Sequence, residues 1–354
     1  MHTSPATEAP QAASGSGALV QNEPPFSLRD IKAAIPPECF SPIVWKSMTY
    51  FFVDVLAIVG LYVAATLIDS WFFWPAFWLL GGTMFWALFV VGHDCGHGSF
   101  SRNRWINGIV GHLAHTPLLV PYHAWRISHR LHHSVTGHLE EEEAWYPLTE
   151  SEYRAAPLYI RIMRFTPLLL ILFPFYLMRR HPRKDGSHFL PWSRLFRQSE
   201  RRDAWISSFW CFAMLGALGY LTYEFGFLFL LKYYLGPYIV FVSWLDLVTY
   251  LHHTAPEIPW YRGNDWNFLR GALSTIDRDY GFINEIHHNI GTHVAHHLFI
   301  GIPHYHLNRA TEAIRPVLGE YYRRSSEPIW SAFNRSRKSC AYVSDEGGVV
   351  HYQS

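Results

Sequence analysis

Four apolar stretches of similar length dominate the pattern of this chain. They lie at residues 49–68, 71–92, 205–223 and 233–251. Each has about the 20 residues that an α-helix needs to cross the hydrocarbon core of a bilayer. Only Asp69 and Ser70 link the first two stretches, so these should form a tight antiparallel hairpin. The pattern predicts an all-α integral membrane protein with four transmembrane helices in two hairpins.

A fifth apolar stretch, residues 167–178, is too short to cross a bilayer. Basic residues bound it at Arg164 on one side and at Arg179 and Arg180 on the other. Apolar stretches of roughly 10–14 residues are typical of buried, interfacial or re-entrant segments. We therefore expect an interfacial or re-entrant helix here.

The distribution of Lys and Arg orients the four predicted spans. The tip of the first hairpin carries none and the tip of the second has only Lys232 at its edge, whereas the other basic residues lie on the opposite side. By the positive-inside rule, both termini and the long middle region are cytoplasmic, and we expect a helical cap on this face. Residues 1–25 are rich in small and polar residues, which predicts a disordered N-terminal tail.

Composition excludes some classes of protein and points to another. A net charge of +1 with no basic stripe argues against nucleic-acid binding. The four cysteines form no CxxC pair, so we expect reduced, structural thiols rather than a thiolate metal site. Histidine stands out with 22 residues, most of them in three clusters that the spans bring to the predicted cytoplasmic face. Such clustering indicates a metal site or a proton path.

Spacing makes the metal site the stronger interpretation. Residues three or four positions apart lie on the same face of an α-helix, because each residue turns the helix by about 100°. One histidine pair and two histidine triples follow this spacing in the sequence. Their members are His93 and His97, then His129, His132 and His133, then His293, His296 and His297. Eight imidazoles are too many for one metal ion and suit two.

The ligand type narrows the choice of metal. Imidazole suits iron, copper, zinc and nickel. The chain has no HExxH motif, and the carboxylate-rich di-iron pattern would need two ExxH repeats where only Glu285–His288 is found. An all-imidazole site beside an apolar environment favours redox chemistry with iron and oxygen, with copper as the alternative.

The motifs HDCGH (His93–His97), HRLHH (His129–His133) and HVAHH (His293–His297) resemble the three histidine boxes of the membrane fatty acid desaturases. The surrounding segments TYLHHT, DRDYGFINEIHHNIGTHVAHH and IPHYHLNRATEAIRPVLGEYY agree with this family. The resemblance covers residues 26–322, the predicted desaturase domain, and leaves 323–354 as a C-terminal cytoplasmic tail. It is closest to the omega-3 (methyl-end) acyl-lipid desaturases of cyanobacteria and plastids, since delta-12 relatives more often have Glu where Asp94 stands.

The resemblance implies a non-haem di-iron centre, with O2 as the co-substrate and no catalytic side chain beyond the ligands. It assigns as ligands the eight box histidines, namely His93, His97, His129, His132, His133, His293, His296 and His297. The ninth ligand is expected at His253, with His288 as the alternative. Candidates to orient the ligands are Asp94, Glu143, Asp277, Asp279 and Glu285.

The same resemblance implies insertion of a cis double bond near the methyl end of an unsaturated acyl chain, as from linoleoyl to linolenoyl in a membrane glycerolipid. The electron donor would be a separate protein, ferredoxin or alternatively cytochrome b5. Basic residues that could meet an acidic donor or lipid headgroups are Arg179, Arg180, Arg183 and Lys184. The implied location is a cyanobacterial plasma or thylakoid membrane.

Several alternatives stay open at the level of sequence. A delta-12 desaturase, fatty acyl hydroxylase or acetylenase could use the same scaffold. A histidine-rich metal transporter or sensor would need ionisable residues deep in several spans, and only Asp54 and Asp246 are found, both nearer an end. The acidic run Glu140–Glu143 is interpreted as a solvated surface.

Overall fold

The computed structural model describes residues 23–163, 166–180 and 184–354. Most of the predicted N-terminal tail therefore lies outside the described residues, as do Arg164 and Arg183. Along the described chain the α-helices are α1 (Leu28–Ala34), α2 (Val44–Ile68), α3 (Trp74–His97), α4 (Arg104–His115), α5 (Tyr122–Val135), α6 (Glu150–Ala155), α7 (Leu158–Met163), α8 (Phe173–Met178), α9 (Arg201–Phe225), α10 (Phe227–Leu230), α11 (Gly236–His253), α12 (Phe268–Ala272), α13 (Ile283–Ile286), α14 (His293–Leu298), α15 (His304–Leu318) and α16 (Ile329–Ser339).

Four helical segments are long and apolar enough to cross a membrane, as the sequence predicts. They are Val44–Ile68, Trp74–His97, Gln198–Phe225 and Phe227–His253. The last combines α10, a π-helical turn at Leu231–Leu235 and α11. Each extends past its predicted limit at one end or both, because hydropathy marks the apolar part of a helix and not its end, although the second begins at Trp74 rather than at residue 71.

In the second span, the difference between the end of the apolar stretch and the end of the helix affects the position of the histidines. The apolar stretch ends at Gly92, but α3 continues to His97 and stops only where Gly98 adopts a left-handed φ of 75°. Glycine enters this conformation without the steric cost that other residues carry. The first histidine pair is therefore held on the end of a transmembrane-type helix rather than on a following loop.

Helix α3 is the central span and packs against α2 and α11. Its contact with α11 is close at Gly82, where an added Cβ would lie 2.4 Å from Val240 Cβ and 2.5 Å from the Pro237 carbonyl oxygen. Small residues allow transmembrane helices to approach closely when no hydrophobic effect drives them together. This contact sets the distance between two helices that both end in the histidine cluster.

The short apolar stretch is not one interfacial helix. It forms a 3₁₀ turn at Pro167–Ile171 and then α8, and the regular helical hydrogen bonding is interrupted between them at Leu172. Asp246 lies at this interruption, where its Oδ2 accepts hydrogen bonds from the backbone N–H groups of Leu172 (2.7 Å) and Phe173 (3.1 Å). A carboxylate from a distant span thus accepts the two backbone hydrogen bonds that backbone carbonyl groups would accept in a continuous helix.

Short strands add to the predicted all-α fold. They are β1 (Trp260–Tyr261), β2 (Asp277–Arg278), β3 (Arg324–Ser325), β4 (Tyr342–Val343), β5 (Val349–Val350) and β6 (Tyr352–Gln353). β1 pairs antiparallel with β5, β2 parallel with β3, and β4 antiparallel with β6. Residues 323–354, which the sequence sets apart as a C-terminal tail, therefore pack on the same core as the residues before them, with α16 against α11.

The four cysteines are free and buried, as the sequence predicts. Cys39 and Cys95 belong to separate hydrophobic clusters, one with α14 and α15 and one between α2, α3 and α4. A larger cluster joins α3, α5, α8 and α11 through aromatic residues such as Trp86, Phe89 and Phe241. This aromatic core lies directly beside the histidines.

Candidate metal centre

Four helices bring the predicted histidines to one place. α3 supplies the pair at its C-terminal end, α5 and α14 supply one triple each, and α11 ends at His253. Among the described residues they form two groups with ligand atoms close enough to share an ion. The first is His93, His97, His129, His133 and His296, and the second is His132, His253 and His297.

His293 joins the second group by its contacts. Its Nε2 lies 2.9 Å from His253 Nε2 and 3.0 Å from His297 Nε2. The two groups are adjacent, since the rings of His133 and His297 stack with centroids 4.1 Å apart. All nine histidines that the sequence nominated, with His253 as the ninth, are thus brought together.

The distances between nitrogen atoms fit coordination to a metal. In the first group, Nε2 atoms lie 3.2 Å apart between His93 and His97 and 3.1 Å apart between His129 and His133. A metal–nitrogen bond of about 2.1 Å places neighbouring ligands at right angles roughly 3 Å apart. Imidazole nitrogens facing each other at this distance are arranged to point lone pairs at a shared ion.

The protonation state agrees with a role as ligands. Burial, reinforced by neighbouring imidazoles, holds the pKa values of His129, His133 and His296 well below the usual histidine range. The same causes lower the pKa values of His293 and His297. A metal binds the neutral imidazole, so these side chains are ready to bind without first losing a proton.

Glu142 is the carboxylate that orients a ligand. Its Oε1 accepts a hydrogen bond from His132 Nδ1 at 2.6 Å, which leaves His132 Nε2 free to face the second group. The expectation of a solvated acidic run is wrong here, because Glu142 and Glu143 are buried. Their neighbours Glu140 and Glu141 are exposed. The sequence analysis missed Glu142, because helical spacing gives no information about a loop that folds back.

Glu143 is buried without touching a ligand. It forms a buried ion pair with Arg180, whose Nε donates to Glu143 Oε1 at 2.6 Å. Arg180 is therefore held inside the protein and is not available to meet an electron donor or a headgroup. Lys184 points to the same loop, where its ammonium group contacts the Glu141 side chain.

Asp94 lies beside the first group. Its Oδ2 accepts hydrogen bonds from the backbone N–H (3.0 Å) and Nδ1 (2.9 Å) of His304, and its Oδ1 is 3.6 Å from His93 Nδ1. His288, the alternative ninth ligand, lies apart from both groups and contacts Asp54, with Nε2 2.7 Å from Oδ2. Asp54 in the first span thus has a histidine partner of its own.

The remaining predicted carboxylates do not contact ligand rings. Asp277 accepts from the Val294 backbone N–H at 2.7 Å and from the Tyr322 hydroxyl at 2.8 Å, so it caps the start of α14. Asp279 binds Asn284 and the Gly281 backbone at the surface, and Glu285 is exposed. The prediction that Asp279 and Glu285 orient ligands is wrong, because the loop turns them outward.

An apolar cavity opens against the histidines. Its walls include Trp86, Phe89, Trp125, Phe173 and Leu245. Its other face is formed by ligand candidates of both groups, namely His93, His129, His132, His253 and His293. A chain lying in this cavity would be close to both groups of imidazoles and shielded from water.

Four membrane-type helices, two adjacent sets of imidazoles and an apolar cavity define a histidine-rich dimetal protein built for an apolar substrate. Comparison with known proteins gives the family. The fatty acid desaturase family model matches residues 69–328, and a model for a domain of unknown function (DUF3474) matches residues 16–64. The chain belongs to the fatty acid desaturase family, which confirms the resemblance.

Curated relatives agree with this family and cover nearly the whole chain. The sn-1 acyl-lipid omega-3 desaturases (ferredoxin) of Nostoc sp. (strain 36) and Synechocystis sp. (strain ATCC 27184 / PCC 6803 / Kazusa) are both 59% identical. The matches cover 93% and 94% of this chain and 92% of each relative. The chloroplastic sn-2 acyl-lipid omega-3 desaturase (ferredoxin) of Arabidopsis thaliana is 51% identical over 94% of this chain and 76% of that protein.

Proposed function

We propose that this protein is an omega-3 acyl-lipid desaturase, which forms a cis double bond three carbons from the methyl end of an unsaturated acyl chain. The observation that carries the proposal is the apolar cavity closed on one side by both histidine groups. The names of its cyanobacterial relatives support the position of the bond and the lipid form of the substrate. Linoleoyl chains of a membrane glycerolipid, converted to linolenoyl chains, are the proposed substrate.

The reaction removes one hydrogen from each of two adjacent methylene groups. With O2, two electrons and two protons taken up, the products are the alkene and two water molecules. The nine histidines would hold two iron ions, and this di-iron unit would supply the oxidising power with O2 that removal of hydrogen from an unactivated carbon requires. The protein holds the acyl chain between Trp86, Phe89 and Phe173, keeps water away, and fixes the tautomer of His132 through Glu142.

The electrons would come from a separate ferredoxin, as the names of the relatives suggest, with cytochrome b5 as the alternative. The distribution of Lys and Arg supports placing both termini and the histidine face in the cytoplasm. We place the desaturase domain at residues 26–322, with the following residues packed onto it. A cyanobacterial plasma or thylakoid membrane is the proposed location.

A metal transporter is the weaker interpretation. Its ion path would need ionisable groups free to bind ions within the spans. The two acidic residues in these spans that the sequence singled out already have partners, Asp54 with His288 and Asp246 with two backbone N–H groups. A hydroxylase remains the nearest enzymatic alternative, because it would use the same scaffold and differ only in the fate of the oxygen.

The test is the fatty acid profile of a host that expresses the chain and is fed linoleic acid. We expect a new trienoic acid with its added bond three carbons from the methyl end, located by gas chromatography with mass spectrometry. A His296→Ala variant expressed to the same level should give none. A bond elsewhere would overturn the omega-3 position, and a product heavier by one oxygen would indicate a hydroxylase.

A further inference from the structure

Asp94 is a buried carboxylate on α3, directly after the ligand candidate His93. Neighbouring residues of an α-helix point about 100° apart, so helix geometry alone does not turn an aspartate toward the ring before it. Asp94 Oδ1 nevertheless lies 3.6 Å from His93 Nδ1. A contact from outside α3 is therefore needed to hold the carboxylate in this orientation.

His93 needs a partner on the side of its ring that faces away from the first group. Its Nε2 lies 3.2 Å from His97 Nε2, so Nε2 is the atom that faces the metal ligands. A neutral ring that binds a metal through Nε2 carries its proton on Nδ1. His93 Nδ1 is buried and has no hydrogen-bond partner within bonding distance among the described residues. Asp94 Oδ1 is the acceptor that lies beside it.

The contact from outside α3 comes from His304, the first residue of α15. Its backbone N–H and its Nδ1 both donate to Asp94 Oδ2, at 3.0 Å and 2.9 Å. The first N–H groups of a helix have no partner within the helix, and the N-terminus attracts negative charge, so Asp94 caps α15. Two hydrogen bonds on Oδ2 fix the carboxylate with Oδ1 beside His93.

His304 is itself held in place by the residues around it. It is only 2% exposed. The ring of Tyr50 in α2 meets the His304 ring edge-on with centroids 4.5 Å apart, and the His288 ring lies 4.7 Å away. His288 is in turn paired with Asp54. The His304 ring therefore has little freedom to turn, as is required of a residue that positions another.

We propose that His304 is a positioning residue for the first metal site. It holds Asp94 so that Oδ1 faces His93 Nδ1, and it thereby fixes the tautomer and orientation of His93. Glu142 has the corresponding place beside His132 in the second group. Each metal site would thus have one ligand oriented by a carboxylate, but at the first site the carboxylate depends on α15. The inference rests on the proposed dimetal centre and not on the proposed substrate.

The test measures iron retention by the detergent-solubilised full chain, loaded anaerobically with two ferrous ions. Graded concentrations of a ferrous chelator are applied, and the iron that remains is determined by elemental analysis. We expect His304→Leu to release one ion at about tenfold lower chelator concentration than the wild type, because contacts that orient a ligand change metal affinity roughly 10–100-fold. Release of the other ion should be unchanged, which also shows that the variant is folded.

Two further variants separate positioning from general damage to the start of α15. His304→Asn keeps a side-chain N–H close to the place of Nδ1 and should retain iron as the wild type does. Tyr305→Phe removes the hydroxyl that accepts from the Ile43 backbone N–H at 2.8 Å, and in the described structure this hydroxyl makes no hydrogen bond to Asp94. It should also retain both ions.

A double variant decides whether His304 acts through Asp94. Asp94→Asn keeps an oxygen that can accept from His304 but loses the negative charge beside His93, so it should also release one ion early. Asp94→Asn/His304→Leu should then release iron as Asp94→Asn alone does. Wild-type retention by His304→Leu or by Asp94→Asn, weaker retention by the double variant than by Asp94→Asn, or no recovery in His304→Asn would overturn the proposal. Desaturation is not measured, so the result stands apart from the proposed reaction.

Discussion

A single loop carboxylate sets the chemistry of one ligand. Glu142 is buried and accepts from His132 Nδ1, and its Oε1 also accepts from the backbone N–H groups of Glu143 and Ala144. These backbone contacts fix the carboxylate before any metal binds. The His132 ring is thereby fixed in orientation and tautomer, with Nε2 available to the second group.

We expect Glu142→Gln to weaken metal binding at the second histidine group. An amide can still contact Nδ1 but cannot supply the negative charge that strengthens the ligand. Loss of such a contact typically costs 10–100-fold in metal affinity, roughly the effect expected here. Metal content after titration with a chelator measures it.

Glu141→Gln is the matched control for this change. It alters the same residue type one position earlier, where the side chain is exposed and forms an ion pair with Lys184. Its metal affinity should equal that of the wild type. Equal metal affinities for the wild type, Glu142→Gln and Glu141→Gln would show that Glu142 does not strengthen His132 as a ligand.

At the scale of single residues, the sequence identifies the candidate metal ligands better than it identifies the carboxylates that hydrogen-bond to them. The spacing of His129, His132 and His133 follows from helix geometry alone, so the ligand candidates could be named in advance. Glu142 could not, because its position depends on how the loop after α5 folds back. Glu285 is as acidic and as close to a box in sequence, and Asp279 lies only a few residues farther away, yet both face outward.

Among elements, the crossing of α3 and α11 matters most to the site. Both helices end in histidines of the cluster, and they approach closely at Gly82. A methyl group there would meet the backbone of Pro237, which cannot move aside as a flexible side chain can. The spacing of the two helices is therefore determined well before either reaches the metal centre.

We expect Gly82→Ala to lower the unfolding temperature of the detergent-solubilised protein. Overpacking of this kind costs typically about 1–3 kcal/mol. Gly216→Ala in α9 is the matched control, since no neighbouring atom of the described residues lies within 4 Å of the added Cβ. That variant should unfold at the wild-type temperature or slightly above it, because Ala favours a helix over Gly. A Gly82→Ala protein as stable as Gly216→Ala would mean that the contact is looser than described.

The elements that the sequence predicted well are those set by local pattern. Four long apolar stretches became four long helices. The stretch 167–178 did not become one helix, because Asp246, far away in sequence, accepts hydrogen bonds from the backbone where the helix is interrupted. The strands near the C-terminus have only two residues each, too few for an alternating pattern, and they form by pairing with distant partners.

For the whole molecule, the metal centre joins parts of the chain that otherwise meet through side-chain packing. Its candidate ligands come from α3, α5, α11 and α14, spread from His93 to His297. A ligand that binds the folded state alone stabilises it according to its concentration and affinity. Metal ions here would connect two membrane-type spans, α3 and α11, with the shorter helices α5 and α14.

We expect removal of metal by a chelator to lower the unfolding temperature and to abolish desaturation. At a free metal concentration of 100 times Kd, the stabilisation lost is about 2.7 kcal/mol per site. Added ferrous iron should restore both properties. In a His296→Ala variant, chelation should cause a smaller shift, because one group has lost a ligand. An unchanged unfolding temperature on chelation of the wild type would contradict a metal link between these helices.

The continuity of α3 limits how this protein can change over evolution. The helix rises about 1.5 Å and turns about 100° per residue, so a single deletion between Gly82 and His93 would rotate both histidines of α3 away from the cluster. The hairpin tip around Asp69 has no such constraint. Adjustment to a thicker or thinner bilayer can therefore be made in α2, in α9 or in the part of α3 before Gly82, while the length from Gly82 to His93 is held constant by the chemistry at the end of the helix.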